Sequence, residues 1–549
     1  MSIAKSYDEG YTDRSMNFDR IGSRGAEPSS DGASLTIPRE ALTSLAAEAF
    51  DRLSFTFTAE HLEQLLRVAA TETNSRQDRM VAGMLLENAA IASRGVLPIC
   101  QDTGIANVFA WKGQAVRTAG GDRDALSIGI ADTYQNRNLR LSTTVPTSLF
   151  EESDPGNNMP AQILIQADDS DSADSAYRFL FCAKGGGSSN KTSLLQGTKA
   201  LLNERSFIAH LEREIQKLGT AACPPYSIAC AVGGLSPEQN LLALKLATTG
   251  YFDHELPGWD YRVLGSTPLR DPAMEKKVLE IAENTGLGAQ FGGKALACSA
   301  RVLRLPRHGA SCPVSVGVSC SAHRNLHGYI DRDGIWLEQT VADPLSMPGV
   351  AEAIAETKAL SGQSLALTLT ESMTENARRL SGLEPGASVT LTGKILVARD
   401  AAHARWSRLV AEGKPLPDYV TRYPIFYAGP AQTPEGRVTG SIGPTTAGRM
   451  DDYAEELMSR GAALITLAKG NRSAAWTLAC KKHRATYLGT VGGAAALIAE
   501  KYIARSEIID YADLGMEAVR IIEVRGLPAF VITNDQGSDL YAAIGEKKK

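Results

Sequence analysis

The sequence predicts an α/β protein of two domains, a mixed α/β N-terminal domain followed by a more regular α/β C-terminal one. Three observations carry this. The chain has 549 residues, and at about 100–200 residues per domain it needs more than one. From residue 386 onward strand-like and helix-like runs alternate, the pattern of a layered α/β domain. Between 340 and 385 the composition shifts to Ala, Ser, Glu and Thr with few aromatics, which marks a connection. The expected organisation is a mobile polar arm over 1–35, an N-terminal domain over 36–340, a linker over 341–385 and a C-terminal domain over 386–549.

The elements follow in order. Leu62, Leu65, Leu66 and Ala69 repeat at one-face helical spacing after the cap residue Thr58. A second helix starts near Ser75, carries Met80, Met84, Leu85 and Leu86, and ends before Gly95. A short extended piece leads into Cys100-Gln101-Asp102-Thr103-Gly104. Strands are expected at 161–167 and 176–183, and a hairpin at Asp333-Gly334. The C-terminal pattern reads strand 388–398, helix 400–412, strand 424–428, helix 450–460, strand 462–467, helix 471–481, strand 485–489 and helix 493–503. Strands at 518–524 and 528–534 follow.

Composition excludes several classes. Hydrophobic residues are 43% and charged residues 22%, which is neither a disordered nor a collagen-like balance. The net charge of −5 argues against a protein that coats nucleic acid. No apolar run reaches the ~18 residues that span a bilayer. Asp8, Glu9, Asp13 and Asp19 near the start fit neither a secretory nor a transit signal, so a cytoplasmic, reducing location is expected. Eight cysteines are too few for a disulfide scaffold. They are either buried fillers or chemistry.

The cysteines form no CxxC pair and no tight metal run. Cys100 in CQDTG, Cys223 in ACPPY and Cys320 in GVSCSAHR lie at strand-to-loop transitions, where side chains can converge. The other five sit in less distinctive settings, Cys182 and Cys480 among them in plainly apolar runs, and the plain reading of a lone cysteine is a small buried hydrophobe. Among the cations, Arg140, Lys191, Arg399, Arg449 and Lys469 would each ordinarily be a solvated charge. Arg399 ends a strand, however, Arg449 follows the loop Gly443–Gly448, and Lys469 ends the next strand. Three cations at successive strand ends describe a pocket for an anion, and arginine forks suit carboxylates. GGGSSNKT is not a GxxxxGK[ST] loop, so nucleotide binding is weakly supported, and the glycines of GTVGGAAA fit close helix–strand packing. Asp102, Thr445, His308 and His323 are the acid–base candidates. For a lone histidine a structural role is the commoner one.

In this order, CQDTG, GGGSSNKT, ACPPY, GVSCSA, VARDAAHAR, GPTTAGRMD and LAKGNRS resemble the iron–sulfur (class I) fumarate hydratases, in their long single-chain form. The resemblance spans about residues 40–540. It departs at Ser227, where many relatives have histidine, and at Ser321-Ala322-His323-Arg324, where many have Ala-Asp-Arg. It implies an N-terminal domain holding a [4Fe–4S] cluster on Cys100, Cys223 and Cys320, with one iron lacking a protein ligand, and a swivelling C-terminal α/β domain that supplies cations. It implies reversible hydration of fumarate to (S)-malate, with tartrate or mesaconate and methylmalate as the substrates of sister dehydratases. Arg140, Arg399, Arg449 and Lys469 are the implied carboxylate clamp. Gln101, Asp102, Gly185, Ser188, Ser189, Asn190, Lys191, Thr192, Ser193, Leu194, Thr445, Thr446, Ala447 and Gly448 would line the substrate. Asp102 and Thr445 would handle protons, with His308 as a polariser. The implied partner besides the dicarboxylate is a second copy of the chain, as a homodimer, with no nucleic acid and no membrane.

Overall fold

The computed structural model describes residues 16–168, 176–360 and 364–546. Local signals placed the first helices. Ala59–Ala70 is capped by the Thr58 hydroxyl, and Arg76–Ala92 carries a reciprocal capping box between Ser75 and Asp78. Among the described residues no helix is long and apolar enough to cross a membrane.

Two sheets build the N-terminal half. One has the strand order Phe18–Ile21, Gly334–Glu338, Asn325–Asp331, Tyr177–Lys184, Ile105–Gly113, Gln162–Asp168. The other runs Ser193–Gly197, Cys312–Ser319, Tyr226–Gly234, Ala297–Arg307, Leu269–Arg270. They pack on one another through Phe109, Trp111, Leu180, Ala229 and Leu303 together with the helix Pro237–Ala247. The expected hairpin at Asp333-Gly334 is present, with Asp331 paired to Gly334.

The C-terminal half has a seven-stranded sheet. Ser388–Val397, Ile425–Phe426, Ile465–Ala468 and Thr486–Gly489 are parallel neighbours. Val519–Thr533 pairs antiparallel with both Thr486–Gly489 and Ser388–Val397, so the sheet closes on itself. The expected strands 518–524 and 528–534 are one continuous strand, bent at Gly526, whose φ is 63°. Residues 503–510, expected to begin as the end of a helix, form a strand on its other edge.

Two expected boundaries are corrected. The described part of the arm is pinned: Phe18–Ile21 pairs with Gly334–Glu338, and Asp19 bridges Arg52 at 2.8 Å. Residues 1–15 lie outside the described residues. The stretch 341–385 is not a linker. It forms the helices Val350–Ala359 and Met373–Leu380 and the strand Leu365–Thr368, which extends the C-terminal sheet. The reason is burial: Val350, Leu367, Met373 and Leu380 lie in one apolar cluster with Leu62, Leu85, Val316, Ile395 and Ile532. That cluster is shared by both halves.

Candidate active site

Three connections in the N-terminal half bring thiols to one place. Cys100 follows Ile99, whose carbonyl takes the Asn88 amide at 2.9 Å. Cys223 precedes the strand Tyr226–Gly234 and has φ 64°, a left-handed conformation. Its turn is fixed by the Tyr226 hydroxyl, which donates to the Gly219 carbonyl (2.9 Å) and accepts from Ala222 N–H (3.2 Å). Cys320 follows the strand Cys312–Ser319. Because Ser227 pairs with Ser319, the Cys223 and Cys320 loops emerge at the same end of an antiparallel ladder, and Ser321 N–H donates to the Cys223 carbonyl (3.0 Å). Burial pushes the Cys100 thiol up, against Arg324, and Cys320 raises it further. Burial likewise pushes Cys223 up to about 11, against Lys469, with Cys320 and Cys100 adding to the rise. The three sulfurs therefore lie within electrostatic reach of one another. Among the described residues no three His, Cys, Asp or Glu side chains are gathered tightly enough for a single metal ion. Thiolates on different irons of a cluster stand farther apart than that. The other five cysteines are buried, and all eight are free.

The Lys469 ammonium sits 2.7 Å from the Cys223 sulfur. Burial opposes its charge, but Cys223 and Cys100 outweigh this and hold its pKa above the ordinary lysine value. Next to Cys100, the Asp102 carboxylate meets Arg140 Nη2 at 3.2 Å and takes the Gly186 N–H at 2.9 Å. Burial resists ionisation of Asp102, yet Arg140, Arg324 and the Gly186 N–H together hold it below the usual carboxylate range. Burial depresses the Arg140 pKa, Asp102 opposes this, and Arg399 adds to it, so charges from the two halves act on one another.

The C-terminal half contributes strand ends. Arg399, buried after Ser388–Val397, bridges Asp400 at 3.1 Å and Glu517 at 3.0 Å. Arg449 shares Asp400 at 2.8 Å and points Nη1 at the Thr445 hydroxyl at 3.5 Å. The Thr445 backbone is strung between Tyr427 and Lys469. A buried ion pair from Arg472 to Asp451 (2.7 Å) ties the loop carrying Arg449 to the loop carrying Lys469.

Glycines fit the halves together. A Cβ on Gly443 would lie 2.6 Å from Gln101 Oε1, one on Gly493 would lie 2.6 Å from Ser321 Oγ, and one on Gly492 would overlap the Cys223 sulfur. Gln101 and Ser321 are the immediate neighbours of Cys100 and Cys320. Each thiol loop thus meets a glycine of the C-terminal half, and GTVGGAAA does more than pack a helix on its own sheet.

Other expected residues fall elsewhere. His308 lies in an exposed turn between Ala297–Arg307 and Cys312–Ser319, at the opposite end of the latter strand from Cys320. Within one chain, strand length keeps it from the thiols. In the segment 185–194, Gly185 abuts Asp102, and the buried Ser188 hydroxyl turns back to the Gly185 carbonyl (3.1 Å). Lys191 reaches the Lys217 carbonyl (3.5 Å), Ser189 and Asn190 are exposed, and Ser193 and Leu194 pair with Val316 and Ser315 in mid-strand. His323 is half-buried, desolvation holds its pKa well below the ordinary value, and its ring lies 5.2 Å from that of His61. Ser227 shares a hydrogen bond with Ser299 at 2.9 Å. Arg324 was not singled out from the sequence. It is 3% exposed, its Nε has no hydrogen-bond partner among the described residues, and its charge acts on both Cys100 and Asp102. Its place four residues after Cys320 was the available signal.

Comparisons with known proteins agree across the chain. A family model described as Fumarate hydratase (Fumerase) matches residues 43–328, and one described as Fumarase C-terminus matches residues 334–544. The "Fumarate hydratase class I, aerobic" of Escherichia coli (strain K12) is 46% identical over 512 residues, covering 93% of this chain and 91% of that protein. The "Fumarate hydratase 2" of Leishmania major is 46% identical, covering 92% of this chain and 88% of that protein. The "Fumarate hydratase 1, mitochondrial" of the same organism is 44% identical, covering 92% and 91%.

Proposed function

The chain belongs to the fumarate hydratase family, and on that premise we propose that it catalyses the reversible addition of water to fumarate, giving (S)-malate. The observation that carries the reading is the gathering of Arg140, Arg399, Arg449 and Lys469, from separate elements of both halves, beside the buried thiols of Cys100 and Cys223, the half-buried thiol of Cys320 and one ionised carboxylate.

The donor set fits an iron–sulfur cluster. It has three thiols with no imidazole among them, a cation on one sulfur that favours the thiolate, and a glycine where any side chain would collide with that sulfur. Cys100, Cys223 and Cys320 would hold a [4Fe–4S] cluster, which when bound supplies an iron without a protein ligand as a Lewis acid for the substrate hydroxyl.

The remaining work falls to the chain. In dehydration C3 gives up a proton to the base of the site, the C2–O bond breaks, the departing hydroxide takes a proton from the acid of the site to leave as water, and the electron pair freed at C3 becomes the C2–C3 π bond. Negative charge spreads first into the carboxylate next to C3. Arginine forks and Lys469 aimed at the two carboxylates bind the substrate and favour that charge. Asp102 and Thr445 form the acid–base pair. An alcohol is not ionised near neutral pH, whereas Asp102 is held ionised, so the C3 proton comes to rest on Asp102 whether it arrives directly or through Thr445 Oγ1. Arg449 beside Thr445 Oγ1 orients that hydroxyl. The same reading carries a homodimer in a reducing cytoplasm, which light scattering of the purified chain and cell fractionation test.

The deciding experiment is anaerobic purification with iron and sulfide reconstitution, followed by (S)-malate dehydration read as the ultraviolet absorbance of fumarate. Turnover of (S)-malate well above that of L-tartrate and mesaconate is expected. A cluster-loaded chain that turns over tartrate or mesaconate and leaves malate untouched would move it to a sister dehydratase.

A further inference from the structure

Gln290 lies outside the segments that carry the thiols and the cations. It belongs to the loop between the helix Pro272–Asn284 and the strand Ala297–Arg307. It is 2% exposed, and its φ of 103° is a conformation that side-chain-bearing residues rarely adopt. Its side chain is fully used. Nε2 donates to the Pro224 carbonyl (3.0 Å) and the Gly492 carbonyl (2.9 Å), and Oε1 accepts the Gly492 N–H (2.8 Å). Pro224 directly follows Cys223, and Gly492 is the residue whose missing side chain makes room for the Cys223 sulfur.

The loop that presents Gln290 is itself anchored. The buried Asp78 carboxylate takes N–H groups from Ala289 (2.6 Å) and Lys294 (2.8 Å), and the Tyr541 hydroxyl donates to the Gln290 carbonyl (2.7 Å). Backbone strain at a polar residue persists where surrounding bonds over-determine it. Here those bonds join the Cys223 loop of one half to the Gly492 loop of the other.

We propose that Gln290 is a positioning residue that registers the Gly492 loop against Cys223, and so sets Lys469 and the C-terminal cations relative to the thiols. Only the consequence for catalysis rests on the reading of Cys223 as a cluster ligand. The clamp can be tested without any cluster.

The test uses the full chain, freed of iron under anaerobic conditions, with each cysteine's alkylation by iodoacetamide followed by peptide mass spectrometry. Gln290→Leu removes all three side-chain bonds and is expected to speed alkylation of Cys223 about tenfold, with Cys480 unchanged and Cys100 changed far less. Gln290→Glu keeps the acceptor for Gly492 N–H and is expected to fall between the wild type and Gln290→Leu. Tyr541→Phe loosens the loop from behind and is expected to give a smaller rise at the same cysteine. After reconstitution, Gln290→Glu is expected to lower kcat more than it raises KM. Unchanged Cys223 alkylation in both Gln290→Glu and Tyr541→Phe, or an equal rise at all eight cysteines, would overturn the clamp. A selective rise at Cys223 in a chain that shows no hydratase activity would uphold the clamp while rejecting the function.

Discussion

The two halves build their share of the site by opposite means. The N-terminal half brings Cys100, Cys223 and Cys320 from three connections far apart in sequence, converging near the ends of interior strands of two different sheets. The C-terminal half sets Arg399 and Lys469 just after the ends of parallel strands, and Thr445 with Arg449 on a loop hydrogen-bonded to two of those ends at Tyr427 and Lys469. A parallel βα succession repeats the same geometry at each strand end, so function accumulates along one rim. A mixed sheet has no such rule, and long-range pairing decides which loops meet. The thiol side is therefore expected to be all-or-none, whereas the cation side is graded.

The largest effect should test that contrast directly. Cys320→Ala is expected to abolish both the visible iron–sulfur absorbance and hydratase turnover, and full absorbance with normal turnover would remove Cys320 from the ligand set. On the cation side, Arg449→Ala should leave the spectrum intact and lower kcat/KM by about 10²–10³, the scale of losing one aimed donor. A near-normal value would take Arg449 out of the clamp. At the seam, Gly492→Ala puts a methyl group into the Cys223 sulfur and should cost about 1–3 kcal/mol of stability with reduced cluster content. Gly309→Ala, where a Cβ meets nothing within 4 Å, should change neither quantity. Equal melting temperatures for the two variants would show that the halves do not press on each other there.

The smallest effect lies away from the seam. Burial raises the Glu60 carboxyl, but the hydrogen bond from His254 at 3.2 Å and the charge of Arg301 bring it down to about 2. Accepting that bond, Glu60 raises the His254 pKa in turn, against burial. A raised folded pKa means that the stabilisation is complete below about pH 6.5, the unfolded histidine value, and is lost as pH rises through the folded value. The depressed Glu60 gives its full part above about pH 4.5, the unfolded carboxyl value, and loses it progressively as pH falls to about 2. Glu60 is 42% exposed, so solvent screening holds the pair to below about 1 kcal/mol. Melting curves at about pH 6 and about pH 9 should differ less in His254→Gln than in the wild type. An identical pH dependence would show that the pair contributes nothing.

What was legible in the sequence follows the same divide. The caps at Thr58 and Ser75 were readable because a cap is a contact between near neighbours. The strand-end cations were readable because a βα succession announces its rim. The stretch 341–385 read as a linker because its apolar residues are buried by partners from both halves, which no local composition can reveal. Residues 504–510 carried no expected element, and the expected helix ended at Ile503, because only pairing with the distant Val519–Thr533 makes Ile503–Asp510 a strand. Gln290 and the meeting of Gly492 with Cys223 left no local trace beyond a glycine pair, and Arg324 left only its nearness to Cys320. Convergence across sheets was visible only through the family motifs.

The Cys223 loop has one more consequence, and it concerns time. The groups that close over this sulfur are Lys469, Gly492 and, behind Gln290, Tyr541 near the end of the described chain. A ribosome adding roughly 5–20 residues per second leaves Cys223 without that cover for on the order of ten seconds or longer while the rest of the chain is made. During that interval the thiol is open to oxidants and to stray metal. Synthesis in oxidising conditions would then harm the newborn chain more than the finished one, and pulse-labelled chains exposed to peroxide before and after completion would register the difference.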